Sequence, residues 1–232
     1  MIRHNLMCSV CGGAEFSARS ILWQGLIDEW QISRREADYI DRQQGEQCTR
    51  CGANLRSIAL ARAILSCLCM SGTLQEAIDT PTGRTLRILE LNEAGSLTPT
   101  IRGFGGYVFG KYPEVDMHAL PYPDESFDIV VHSDTLEHVP NPVHGLEECR
   151  RVLKTTGALC FTVPIIVGRM SRDRTGLPKS FHGDAATATD DLIVQTEFGA
   201  DAWTFIMNAG FCRVTTHAVE YPTAIAFAAF KT

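Results

Sequence analysis

From residue 85 onward, short apolar runs alternate with helix-period segments, and this alternation constrains the chain more than any other feature. Thr85–Leu91 is an apolar run ending near an acid, Glu90. Phe127–His132 is a second such run and Ala158–Val163 a third. Between the last two lies Pro142–Leu153, a helical segment with Asn141 as its cap, Pro142 in its first turn and Gly157 as its stop. Asp201–Ala209 reads as another helix closed by Gly210, and Cys212–Val219 with Thr223–Phe230 as a closing antiparallel hairpin. Strands separated by helices predict an α/β fold with a doubly wound, mostly parallel sheet. Ligands of such sheets sit at the carboxyl ends of the strands. The residues to watch are therefore Glu90–Leu97, Asp116, His132–His138 and the stretch from Pro164.

Ahead of this alternation stand two copies of one pattern, Cys8-Ser-Val-Cys11-Gly12 and Cys48-Thr-Arg-Cys51-Gly52. Two thiolates three positions apart can reach one ion from a tight turn, and the glycine lets backbone N–H groups face the sulfurs. Two such knuckles make a closed, all-thiolate tetrahedral site, which suits a structural Zn2+ held by Cys8, Cys11, Cys48 and Cys51. Trp23, Leu26, Ile27 and Trp30 fall at helical spacing between the pairs and are expected to pack over the metal site. The other cysteines, Cys67, Cys69, Cys149, Cys160 and Cys212, lack knuckle spacing and read as small apolar fillers. Asn54–Leu65 reads as an amphipathic helix. The expected division is a zinc-binding module over 1–55 and an α/β domain over 56–232.

With 232 residues, a net charge of −6 and 45% hydrophobic residues, the chain reads as an ordinary globular protein. It shows neither an export signal nor a run of roughly 18 apolar residues, so the expectation is a cytoplasmic protein with no membrane partner. Residues 1–65 hold eight Arg against seven acids, which argues against nucleic acid as the main partner.

The segment Asp116-Met-His-Ala-Leu-Pro-Tyr-Pro-Asp-Glu-Ser-Phe-Asp-Ile-Val130 resembles the central block of class I S-adenosylmethionine-dependent methyltransferases. The resemblance continues through Leu136-Glu-His-Val139, Glu148–Gly157 and Phe161-Thr-Val-Pro164, in the family's order and spacing. It implies a Rossmann-like methyltransferase with S-adenosylmethionine as cofactor. Carried over by position, Asp116 accepts from the adenine amino group, Met117 covers the adenine face, and Ser133 and Asp134 lie under the transferable methyl. The cofactor turn reads Glu90-Leu-Asn92-Glu-Ala94-Gly95-Ser96. Glu90 matches, while Asn92, Ala94 and Ser96 stand where glycines are usual. Pro99 and several glycines leave little room for a full helix before the next strand, and Tyr107–Phe109 lacks the family's ribose-binding acid.

The resemblance further implies a substrate lid over 165–197. Its Arg169, Arg172 and Arg174 are candidates for recognising a substrate carboxylate or phosphate. His138 and His182 are the candidate general bases. The leading expectation is methyl transfer to an oxygen or nitrogen of a small molecule, a sugar or secondary metabolite. The alternatives are an rRNA or tRNA base methyltransferase and a non-catalytic, methyltransferase-like protein that works through a protein partner.

Overall fold

The computed structural model describes residues 6–181 and 189–232. Near the N-terminus β1 (Phe16–Ala18) pairs antiparallel with β2 (Glu46–Cys48), Phe16 opposite Cys48. The excursion between them forms α1 (Gln24–Glu29) and α2 (Arg34–Gly45). A capping box starts α2: Glu36 N donates to Ser33 Oγ, and Ser33 N donates to the Glu36 carboxylate. Directly after the second knuckle, Asn54 caps α3 (Leu55–Cys67) by accepting from Ser57 N.

Ten of the thirteen α3 residues are buried. It is thus an interior helix, not the amphipathic surface helix its arginines suggest. One side packs on the sheet while α2, α4 and the knuckles cover the other.

The chain continues through α4 (Leu74–Asp79) and α5 (Pro81–Thr85) into β3 (Arg87–Leu91). A short 3-10 turn at Gly95–Leu97 and the one-turn α6 (Thr98–Ile101) lead to β4 (Gly106–Gly110). The missing full helix between these strands matches the glycine-rich, proline-containing sequence. At Gly105 an added Cβ would lie 1.9 Å from the Arg84 carbonyl oxygen, so only glycine lets the chain enter β4 there. Next come β5 (Phe127–Ser133), a 3-10 turn at Leu136–His138, α7 (Pro142–Val152) and β6 (Leu153–Thr162). The segment after β6 carries β7 (Ile165–Ile166), β8 (Arg172–Asp173), a 3-10 turn at Asp190–Leu192 and β9 (Thr196–Gly199), which form a small separate sheet. The chain closes with α8 (Ala202–Asn208), β10 (Arg213–Val219) and β11 (Ala224–Phe230).

The main sheet has the order β10-β11-β6-β5-β3-β4. Its β3–β4, β3–β5 and β5–β6 pairs are parallel, and β11 runs antiparallel to both its neighbours. Successive strand residues divide between two cores. Ile88, Ile129 and Val131 face α3 and the buried cysteines, whereas Leu89, Leu91 and Val130 face the α7–α8 side. This is a doubly wound α/β fold of Rossmann type. No helix among the described residues is long and apolar enough to cross a membrane.

Two local expectations need correcting. Gly157 does not stop a helix: α7 ends at Val152, and Gly157 lies inside β6 beside a register shift against β5. An added Cβ there would sit 3.0 Å from the Asp128 carbonyl oxygen, so a bulge in the ladder, not a helix cap, requires this glycine. Cys69 and Cys212 are exposed and fill no core, while Cys149 and Cys160 are buried as expected.

Candidate functional site

The four cysteines of the two knuckles converge. Cys8, Cys11, Cys48 and Cys51 place all four Sγ atoms within 4.8 Å of one another. Cys8 and Cys51 are 3.6 Å apart, sulfur to sulfur, and Cys11 and Cys48 3.7 Å. A tetrahedral ion with bonds of about 2.3 Å to sulfur requires separations of about 3.8 Å, so the donor set fits zinc in both chemistry and size. Gly12 and Gly52 adopt φ of +77° and +75°, the left-handed turn each knuckle needs. Burial pushes the Cys8 thiol up and that of Cys51 to about 11, whereas at Cys48 burial is outweighed by the backbone N–H groups of Cys51 and Arg50, which pull it down. The cluster is continuous with the α3-side core rather than set apart from it.

Trp23, Leu26 and Trp30 do not cover this cluster. They line a cavity with Ile40, Gln43 and Gln44 of α2, against Ile165 and Phe198 of the segment after β6.

At the carboxyl ends of β3, β4 and β5 lies a cleft of about 350 Å³. It gathers Asn92, Asp116, Met117, Ser133, Asp134 and His138, six residues drawn from four separate stretches of the sequence. Asn92 follows β3 with a left-handed φ of 56°, a conformation that asparagine tolerates better than most residues. Its Oδ1 accepts from Tyr112 N at 3.0 Å, and its Nδ2 reaches Thr135 Oγ1 at 3.5 Å. The asparagine thus makes the sharp turn that glycine would make and ties β3 to the ends of both neighbouring strands. Asp116 is half-exposed and accepts from His118 N at 2.8 Å. Met117 is buried against Gly145, where an added Cβ would meet its sulfur at 3.0 Å. Ser133 Oγ pairs with Thr162 Oγ1 at 2.7 Å.

Glu90, Ala94 and Gly95 stand behind the cleft and do not line it. Glu90 is fully buried and accepts from Ala94 N at 2.8 Å and from the Thr98 and Tyr107 hydroxyls. Burial and this carboxylate push the Tyr107 hydroxyl up to about 12. Glu90 therefore braces the turn from beneath. Where β4 ends, Lys111 and Tyr112 face the cleft, and Glu114 does not; Glu93, from the β3 turn, brings a carboxylate to the rim.

One functional contact escaped sequence reasoning. Arg56, from the first turn of α3, forms an ion pair with Asp134 and donates to Gln43 Oε1 at 2.6 Å. Burial pulls its guanidinium down to about 10, opposed by the nearby Glu137 carboxylate, so it remains a cation at neutral pH. The partners lie far apart along the chain, and only an arginine in a largely apolar helix hints at the contact.

The 3-10 turn Leu136–His138 forms a wall. Buried Glu137 faces the cavity lined by Trp23, while His138 faces the cleft. His138 Nδ1 lies 3.1 Å from the Ile193 carbonyl oxygen, and Nε2 lies 3.7 Å from Glu137 Oε1. Because a carbonyl can only accept, Nδ1 is the donor in that contact, and Nε2 is the nitrogen on the Glu137 side. The other base candidate, His182, lies outside the described residues.

The three arginines do not converge on the cleft. Arg169 pairs with Glu36 at 3.2 Å and donates to the Gln31 carbonyl at 2.6 Å, and Arg174 pairs with Glu197. Arg172, more exposed, lies 3.7 Å from Glu197.

Fold and cleft together define an α/β protein of Rossmann type with a ligand cleft over its central strands. Residues 102–161 match the model of the methyltransferase domain family. Two curated relatives show how far the likeness extends. The ubiquinone biosynthesis O-methyltransferase of Paracidovorax citrulli is 28% identical over 159 residues, 64% of this chain and 59% of that protein. The chloroplastic 2-methyl-6-phytyl-1,4-hydroquinone methyltransferase 1 of rice is 40% identical over 52 residues, 22% of this chain and 16% of that protein. The chain thus spans less than two thirds of either relative. Among solved structures, an S-adenosylmethionine-dependent methyltransferase from Thermotoga maritima aligns with a TM-score of 0.44 at 16% identity, covering 77% of this chain and 90% of that one.

Proposed function

We propose that the chain is an S-adenosylmethionine-dependent methyltransferase acting on an oxygen or nitrogen of a small molecule. The observation that carries this reading is the meeting of Asn92, Asp116, Met117, Ser133, Asp134 and His138 in one cleft at the strand ends. The cofactor, when bound, supplies an electrophilic methyl group on a cationic sulfur. Asp116 and Met117 would hold its adenine, while Asn92 and the Glu90-braced turn would hold its methionine part. Asp134 would face the positive charge, and its pairing with Arg56 keeps its carboxylate oriented. The Glu137–His138 pair would accept the proton of the methyl acceptor. The printed activities of the two curated relatives, both methyl transfer to small molecules, support the same class of acceptor.

A second reading is a non-catalytic protein that keeps the fold. The inward commitment of both Glu90 oxygens favours it, since that carboxylate then serves the turn and no ligand.

Calorimetric titration with S-adenosylmethionine and its demethylated product decides between them. Micromolar binding is expected. No heat up to millimolar ligand, from folded and metal-loaded protein, would overturn the enzyme reading. We propose further that the four-cysteine cluster holds one structural zinc ion. Elemental analysis of the same sample is expected to find one zinc per chain, and a zinc-free folded chain would refute it.

A further inference from the structure

A second cavity, of about 200 Å³, lies on the other side of the Leu136–His138 wall from the cleft. Its walls come from opposite ends of the chain. Trp23, Leu26 and Trp30 form one side, from α1 and its flanks, and Ile165, Ile166 and Phe198 form the other, from the small sheet after β6. Arg169 clamps the two sides together through Glu36 and the Gln31 carbonyl. Its charge is thereby spent on holding the cavity's shape. Arg56 and Glu137 are among its polar lining, with Gln43, Gln44, Ser180 and Thr196.

The two cavities meet at the ion pair already described, because Arg56 lines this one while its partner Asp134 lines the cleft. The remainder of the wall follows the same alternation. Val194 and Thr196 face the second cavity and Gln195 faces the cleft, and Gln195 N donates to the Glu137 carbonyl at 2.7 Å, joining the two strips of the wall.

We propose that this second cavity is the acceptor site and that its ligand is a single-ring phenol with a short apolar substituent, its hydroxyl directed at Glu137 and Arg56. The assignment rests on reading the neighbouring cleft as the cofactor site. The volume is below the roughly 300–1,000 Å³ typical of sites for drug-sized ligands, which admits one ring and a short branch but no long chain. Apolar and aromatic walls favour a flat, uncharged body. A sugar would set hydroxyls against Trp23, Trp30, Ile165 and Phe198, where burial without a partner costs affinity. Arg56 and Glu137 stand where this cavity adjoins the cleft, so the group to be methylated lies at that side. On transfer the phenolic oxygen gains the methyl as the carbon–sulfur bond breaks, and its proton passes to the Glu137–His138 pair.

The test uses the full chain and two titrations, one with 2-prenylphenol and one with S-adenosylhomocysteine. Trp23→Ala removes an aromatic wall at a half-exposed position and leaves the cleft intact, and Trp23→Phe keeps the wall aromatic. The expected result is saturable binding of 2-prenylphenol, weakened at least tenfold by W23A and restored to within threefold by W23F. S-adenosylhomocysteine affinity is expected to stay within twofold in both variants. Three results would overturn the proposal: no 2-prenylphenol binding up to its solubility limit, equal binding in W23A, or equally tight binding of methyl glucoside. Binding of 2-prenylphenol that responds to Trp23, in a chain that ignores S-adenosylhomocysteine, would support the cavity assignment and remove the cofactor reading alone.

Discussion

His132 is fully buried in β5, stacked at 4.8 Å between centroids on Phe161, and neither ring nitrogen has a hydrogen-bond partner among the described residues. Burial pulls its pKa down to about 4, with Glu137 opposing, whereas the unfolded chain titrates near 6.5. Between those values the unfolded state binds the extra proton. Stability from this residue is therefore intact above about pH 6.5 and falls as pH drops toward 4, by about 3 kcal/mol in all. Urea titrations at several pH values should show this slope, and His132→Leu should flatten it by up to about 1.4 kcal/mol per pH unit. Arg56 calls for a different measurement. Arg56→Leu leaves the Asp134 carboxylate without this cation, and a loss of about 3–5 kcal/mol is expected in urea unfolding. Arg56→Leu with Asp134→Leu should recover part of that loss, the coupling a double-mutant cycle reads. Neither residue was legible as more than a strand or helix position. A histidine in an apolar run reveals its burial, but not what faces it, and an ion pair between distant segments leaves no local pattern. Ser133 was legible because it ends β5, whereas Asp116 and Met117, six and seven residues past β4, were placed by the resemblance.

At the scale of elements, the alternation of strands and helices was readable because β3, β5 and β6 are largely buried and both α3 and α7 open on asparagine caps. The turn after β3 was readable only in part. Its missing glycines looked like loss of a site, yet Asn92 adopts the left-handed conformation itself and spends both side-chain ends on β4 and β5. Asn92→Ala should cost about 1–3 kcal/mol, combining strain at positive φ with two lost bonds, measurable as a drop in Tm. Asn92→Gly should cost less, since it keeps the backbone geometry and loses only the bonds. The excursion between β1 and β2 was misjudged for a related reason. Helical spacing shows which residues share a face but not what that face meets, and here it meets the segment after β6.

At the scale of the whole molecule, the buried cysteines share one core with α3 and the central strands, so the cluster and the sheet should not unfold separately. Removing the proposed zinc ion with a chelator is expected to lower the Tm of a single transition rather than melt a small domain first, and calorimetry would distinguish these outcomes. Cys8→Ser should have the same effect without chelator. The link has a definite path. Asn54, which caps α3 just past Cys51, donates its own N–H to Ser96 Oγ at 3.3 Å, and Ser57 Oγ meets the same oxygen at 2.8 Å. Ser96 stands where a glycine is usual, and a glycine there would carry no hydroxyl to hold. The turn after β3 and the segment ahead of α3 have thus become a matched set that cannot be exchanged piecemeal. A chimera with a borrowed N-terminus would inherit a turn shaped for an anchor it no longer possesses.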